Sequence, residues 1–173
     1  MKLRFFIGNY KNFGVTDKES EDFAYFCINL NGCDMCNVII GRKAEQEILR
    51  QRIESKSPEL IAIYGRRRIG KTYLVRQYFK DTFSFYFTGI YQGTKKEQLG
   101  EFNRQLEYYS GRKWKVAKDW FDAFAQLREY LGTIDGDNPI IVFLDELPWM
   151  DTQKSRFIKA FEFFWNSWGA TNN

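Results

Sequence analysis

Residues Gly65-Arg66-Arg67-Arg68-Ile69-Gly70-Lys71-Thr72 follow the spacing G-x-x-x-x-G-K-[ST], and no other stretch constrains the fold as much. The spacing belongs to a loop that wraps an anion with backbone N–H groups. Gly65 and Gly70 allow conformations that a Cβ would oppose, so successive N–H groups can turn inward. A helix opening at Lys71 adds unpaired N–H groups and the positive end of its dipole. Lys71 can bring a mobile cation to the outer phosphates, and the Thr72 hydroxyl can ligate a divalent metal. Ile69 and the three arginines fill the variable positions, where the arginines either contact phosphate or a partner or simply face solvent. The motif needs a strand before it and a helix after it. The apolar run Leu60 to Tyr64 and the helical spacing of Leu74, Val75, Tyr78 and Phe79 meet both requirements.

The charge distribution agrees with that reading. The net charge is +4 overall, but residues 42–80 alone carry +7, from eleven Lys/Arg against four Asp/Glu. Basic excess around the loop suits a nucleotide, and a nucleic-acid backbone stays open as a second ligand for it. No histidine is present, which removes His triads, His metal ligands and His proton shuttles together. Of the three cysteines, Cys33 and Cys36 form a C-x-x-C and Cys27 stands alone. A tetrahedral zinc site needs a fourth ligand, so reduced thiols are the expectation. The strictly apolar run Ile140 to Leu144 is far too short to cross a bilayer. With no adequate apolar run at the N-terminus either, a cytoplasmic location is expected.

Along the chain, segments of helical and strand character alternate. Residues 1–37 are the least readable and are expected to form an extension, with Phe23 to Leu30 a candidate strand. A helix is expected over about 42–55, a strand over Phe83 to Thr88, and helices around Leu99 to Tyr109 and Trp120 to Leu131. Ile140 to Leu144 has the continuous apolar character of a strand buried on both faces. Phe157, Phe161, Phe164, Trp165 and Trp168 mark a last helix from about Lys154, a face open to a protein partner or to self-association. The alternation predicts an α/β sandwich with a mainly parallel sheet.

The strand at 140–144 delivers Asp145 and Glu146 at its C-terminal end, the edge where open α/β sheets bind ligands. Asp145 is placed to hold Mg²⁺, and Glu146 to orient or deprotonate a water. An adjacent acidic pair can also simply cap a loop. Behind a phosphate loop it favours the ATPases whose sheet carries an additional strand, where the Glu activates water, over kinase- or GTPase-like folds.

Gly41-Arg42, the loop GRRRIGKT, the stretch DELPWMD from Asp145 to Asp151 and FEFFWNSW from Phe161 to Trp168 occur in this order. Together they resemble the archaeal-type P-loop ATPases, prokaryotic proteins related to the AAA+ and STAND groups. The resemblance runs from about Val38 onward and implies a P-loop NTPase three-layer sandwich over 38–173. It implies ATP and Mg²⁺ as ligands, phosphate binding by 65–72, metal binding by Thr72 and Asp145, and Glu146 as base with Lys71 assisting. Gly41 and Arg42 would lie near the adenine end. In that family a further strand with a sensor residue follows the last helix and lies between the loop strand and the Asp-Glu strand. The chain ends at Asn173 before such a strand, so the domain is expected to be truncated. A gap, or a substitute strand such as 23–30, is expected between strands 60–64 and 140–144. Without a sensor or arginine finger, a non-enzymatic nucleotide-dependent interaction module is the alternative to an ATPase.

Overall fold

The computed structural model describes residues 3–8, 39, 41–55, 57–66, 68–135 and 138–171. In chain order these form β1 (Leu3–Gly8), α1 (Lys43–Glu54), β2 (Glu59–Ile63), α2 (Lys71–Phe79), β3 (Phe83–Thr88), α3 (Lys95–Ser110), α4 (Trp120–Leu131), β4 (Ile140–Asp145), α5 (Leu147–Met150) and α6 (Phe157–Ser167). The strands make one sheet in the order β2-β1-β4-β3, and every pairing is parallel. All four C-terminal strand ends therefore open on one edge.

Helices cover both faces, because the side chains of each strand alternate between them. On one face Ile141 and Phe143 of β4, with Ile61 and Ile63 of β2, pack against Leu49 of α1 and Leu74, Val75 and Phe79 of α2. On the other, Val142 and Leu144 of β4, with Phe85 and Phe87 of β3, meet α3, α4 and α6. A register shift between Phe83 and Phe85 lets Phe83 and Tyr86, three positions apart, share the α2 face. Ala62 of β2 is exposed, so the second helical layer leaves that part of the edge strand open.

Local signals explain where the helices begin and end. Thr94 and Glu97 form a reciprocal capping box at the start of α3, and Gly111 closes it at φ 67°. The Asp119 carboxylate accepts from the Asp122 N–H at 2.9 Å at the start of α4. The larger core is aromatic. Trp120 stands edge-on to Phe157 at 4.8 Å and to Phe102 at 5.6 Å between ring centroids. Phe157, Phe161 and Phe164 of α6 are buried there, so most of the aromatic stripe of α6 serves this chain's own core, and Phe163 faces outward. The helix starts at Phe157, later than the sequence spacing predicts. Arg156 adopts a left-handed conformation (φ 57°), and the buried Ser155 hydroxyl accepts from the Phe157 N–H.

The position between β2 and β4 is occupied. β1 lies there, with Phe6 opposite Ile61 on one side and Phe143 on the other. The substitute strand is thus Leu3–Gly8 and not 23–30, a stretch that lies outside the described residues, as do Cys27, Cys33 and Cys36. The sequence signal was brief: three apolar residues, Phe5-Phe6-Ile7, stopped by Gly8-Asn9.

A central strand cannot lose a backbone donor cheaply. Phe6→Pro is expected to destabilise the chain by about 3 kcal/mol or more in denaturant unfolding. A change within about 0.5 kcal/mol, typical of an unpaired surface position, would contradict the central placement of β1.

Candidate functional site

The chain leaves β2 at Ile63 and crosses to α2 through a loop rich in left-handed backbone. Gly65 has φ 143°, Arg68 φ 65° and Gly70 φ 78°. Positive φ at Gly65 excludes most side chains, and a Cβ there would also meet Ile69 Cδ1 at 3.2 Å. Gly70 is the N-cap of α2, so the first N–H groups of that helix open toward the loop. Arg66 and Arg68 are exposed, and Arg67 lies outside the described residues.

Lys71 does not reach into solvent. It is 7% exposed, and its ammonium donates to the Gly65 carbonyl at 3.0 Å and the Arg66 carbonyl at 2.5 Å. Burial pushes its pKa below the ordinary lysine value, opposed by the charges of Glu146 and Asp145 and reinforced by Arg42. The cation is therefore folded back over the loop that it follows.

Thr72 joins the loop to the far side of the sheet. Its hydroxyl donates to Asp145 Oδ2 at 2.8 Å. Asp145 Oδ1 accepts the Glu146 N–H at 2.9 Å. Asp145 is almost fully buried. Burial raises its pKa, while the bonds from Thr72 and the Glu146 N–H and the charges of Lys71 and Arg76 pull it back. Glu146 caps α5 in a left-handed conformation at φ 54° and is half-buried. Two carboxylates, a buried ammonium and a helix N-terminus thus converge at the C-terminal edge of the sheet.

The resemblance implies that Gly41 and Arg42 lie near the adenine end of a nucleotide; in the structure Arg42 reaches the loop. Its guanidinium donates to the Ile69 carbonyl. Gly41 and Arg42 both have positive φ, at 79° and 51°, and the Gly41 carbonyl accepts from Gln46 Nε2 at 2.6 Å. Three neighbours went unnoticed in the sequence. Thr88 pairs with Asp145 across β3 and β4, and its hydroxyl donates to the Tyr86 hydroxyl at 2.5 Å. The Arg76 guanidinium lies 5.6 Å from the Tyr86 ring centroid. Gly89 passes so close to the acidic turn that a Cβ would sit 2.8 Å from the Glu146 carbonyl oxygen. A Gly after a strand was visible in sequence, but only the fold gives its neighbour.

Among the described residues, no helix is long and apolar enough to cross a membrane, and no cluster of three or more His, Cys, Asp or Glu side chains could hold a metal.

Two proteins of the archaeon Methanocaldococcus jannaschii are similar to this chain. One, an uncharacterized protein, is 24% identical over 125 residues, which are 72% of this chain and 25% of its own length. The other, an uncharacterized ATP-binding protein, is 36% identical over 44 residues, which are 25% of this chain and 75% of its own length. This chain therefore spans a quarter of the longer relative and most of the short one. No family model and no solved structure matches it.

The buried carboxyl gives a pH test. Asp145 keeps its proton to higher pH than a free carboxyl, so stability falls as pH rises from the ordinary carboxylate range through that raised value. Asp145→Asn removes the buried charge and keeps a group that can bond Thr72. Its thermal unfolding midpoint is expected to exceed wild type at about pH 7.5, with the gain vanishing in acid where both are neutral. An equal or lower midpoint at neutral pH would contradict this.

Proposed function

We propose that this chain, which belongs to one family with the short ATP-binding protein, is the nucleotide-binding part of a P-loop ATPase with a P-loop NTPase sandwich fold. The observation that carries the reading is the 2.8 Å contact between Thr72, on the phosphate-loop side, and Asp145, at the end of β4. That contact puts a hydroxyl and a carboxylate, both hard oxygen donors, at the mouth of a loop shaped for anions.

The residues fit Mg²⁺ with a nucleotide. Mg²⁺ keeps several waters and takes one or two carboxylates besides phosphate oxygens, and Thr72 and Asp145 would hold it. When bound, the ion neutralises negative charge on the phosphates. The loop backbone from Gly65 to Gly70 and the first N–H groups of α2 bind the phosphate oxygens. Lys71 exchanges the Gly65 and Arg66 carbonyls for those oxygens, which are stronger partners for an ammonium. Arg42 holds the loop through Ile69, on the side where the sugar and base would extend. Glu146, with a role distinct from that of Asp145, would take a proton from an attacking water.

Lys71→Ala removes a charge-assisted contact worth roughly 1.5–3 kcal/mol, so affinity for Mg²⁺-ATP in calorimetry is expected to fall about ten- to a hundredfold. Equal affinity would overturn the binding assignment. Glu146→Gln is expected to keep that affinity and lose phosphate release by about a hundredfold or more. Phosphate release that survives Glu146→Gln would overturn the base assignment. Tight binding with no release by the wild type would assign the chain instead to a nucleotide-dependent interaction module.

A further inference from the structure

Gln98 lies on α3, away from the loop, yet it is only 1% exposed. Its carboxamide is fully engaged. Oε1 accepts from the Ile90 N–H at 2.9 Å, and Nε2 donates to the Ile90 carbonyl at 2.7 Å and to the Trp149 carbonyl at 3.0 Å. Both N–H groups of the amide are used, and the pattern fits only one orientation of it, since a flipped amide would face an N–H with an N–H. Ile90 follows β3 by two residues. Trp149 lies in α5, which starts directly after Glu146. One side chain therefore bonds the segment leaving β3 to the helix that Glu146 caps.

What it clamps is the acidic turn. The Gly89 N–H donates to the Asp145 carbonyl at 3.0 Å, and the Trp149 N–H donates to the Glu146 carbonyl at 3.0 Å. The backbones pack closely here. A Cβ at Gly89 would lie 2.8 Å from the Glu146 carbonyl oxygen and 3.3 Å from Trp149 Cβ, and one at Gly93 would lie 3.0 Å from Gln98 Nε2. Tyr91 adds an edge contact to Trp149 at 5.4 Å between ring centroids. Glu146 itself holds a left-handed backbone without being glycine, a conformation that persists only where its surroundings fix it. α5 is a single short turn and cannot fix it alone.

We propose that Gln98 is a positioning residue: by bonding Ile90 and Trp149 together it fixes the backbone of the Asp145–Glu146 turn and so aims the Glu146 carboxylate. The consequence for turnover rests on the reading of Glu146 as the base. Among the described residues the hydrogen bonds of Gln98 go to Ile90 and Trp149 and none to the loop or Lys71, and the Asp145 carboxylate keeps its own bond from Thr72, so the loss is expected in turnover more than in nucleotide affinity.

Gln98→Met keeps the shape and removes all three bonds. Gln98→Glu keeps the acceptor for Ile90 but sets a carboxylate against two carbonyls. Amide exchange is followed by mass spectrometry on peptides from 145–151 and, as reference, from 65–79. In both variants exchange across 146–150 is expected to quicken about tenfold or more while the reference peptides hold. In phosphate-release assays kcat is expected to fall about tenfold or more with KM within about twofold. For Gln98→Glu both deficits, taken relative to wild type at each pH, shrink as the introduced carboxyl is protonated and regains a donor, a recovery that a purely packing role would not show. Exchange at 146–150 equal to wild type, or raised uniformly along the chain in both variants, overturns the proposal, as does KM rising in step with a fall in kcat. If Gln98→Met fails to fold, Gln98→Glu and its pH response decide. A wild-type chain that binds nucleotide without releasing phosphate fails the reading of Glu146 as base, and the exchange comparison still decides Gln98.

Discussion

The site depends on one hydrogen bond between residues 73 positions apart, from the Thr72 hydroxyl to Asp145 Oδ2. β2 and β4 do not pair, because β1 stands between them. Two strand spacings put the loop strand and the acidic strand about 10 Å apart. The connection between β2 and α2 bridges that distance, since Thr72 in the first turn of α2 reaches Asp145. The placement of Leu3–Gly8 in the sheet thus sets how far apart the loop strand and the acidic strand stand.

This geometry burdens the fold. Lys71 and Asp145 are both buried, and burial shifts each toward its neutral form. Around them, Gly65, Arg68, Gly70 and Glu146 hold left-handed backbone in a short space. Such features cost free energy and persist where the rest of the structure supports them. Support comes from two aromatic cores on opposite faces of the sheet. β4 belongs to both, with Ile140, Val142 and Leu144 facing one and Ile141 and Phe143 the other. The strand that ends in Asp145 is therefore anchored on both faces, and its last residue can be polar without loosening it.

Much of this was legible in the sequence, for local reasons. The glycines of the loop and the apolar run at 140–144 each specify their structure through neighbours in the chain. β4 reads as buried because it is apolar from Ile140 to Leu144, and the helices show their periodicity. β1 was hidden because three apolar residues say nothing about which strands they will join. Gln98 was hidden for a related reason: a glutamine on an amphipathic helix looks like a solvated one, and only the fold brings Ile90 and Trp149 to it. Arg42 fell between, since the motif flagged it while its bond to the Ile69 carbonyl needed the loop in place. The part of the site that escapes sequence reading is the part held by contacts between distant segments.

The most direct measurement is a double-mutant cycle on Thr72→Val and Asp145→Asn, read as affinity for Mg²⁺-nucleotide against affinity for the same nucleotide with the metal chelated. If the loop and the end of β4 form one metal-dependent site, the two losses are coupled by about 0.5–3 kcal/mol with Mg²⁺ present and add without coupling when it is chelated. Losses that add independently with Mg²⁺ present would contradict the account, because the hydroxyl and the carboxylate would then belong to separate features of the surface.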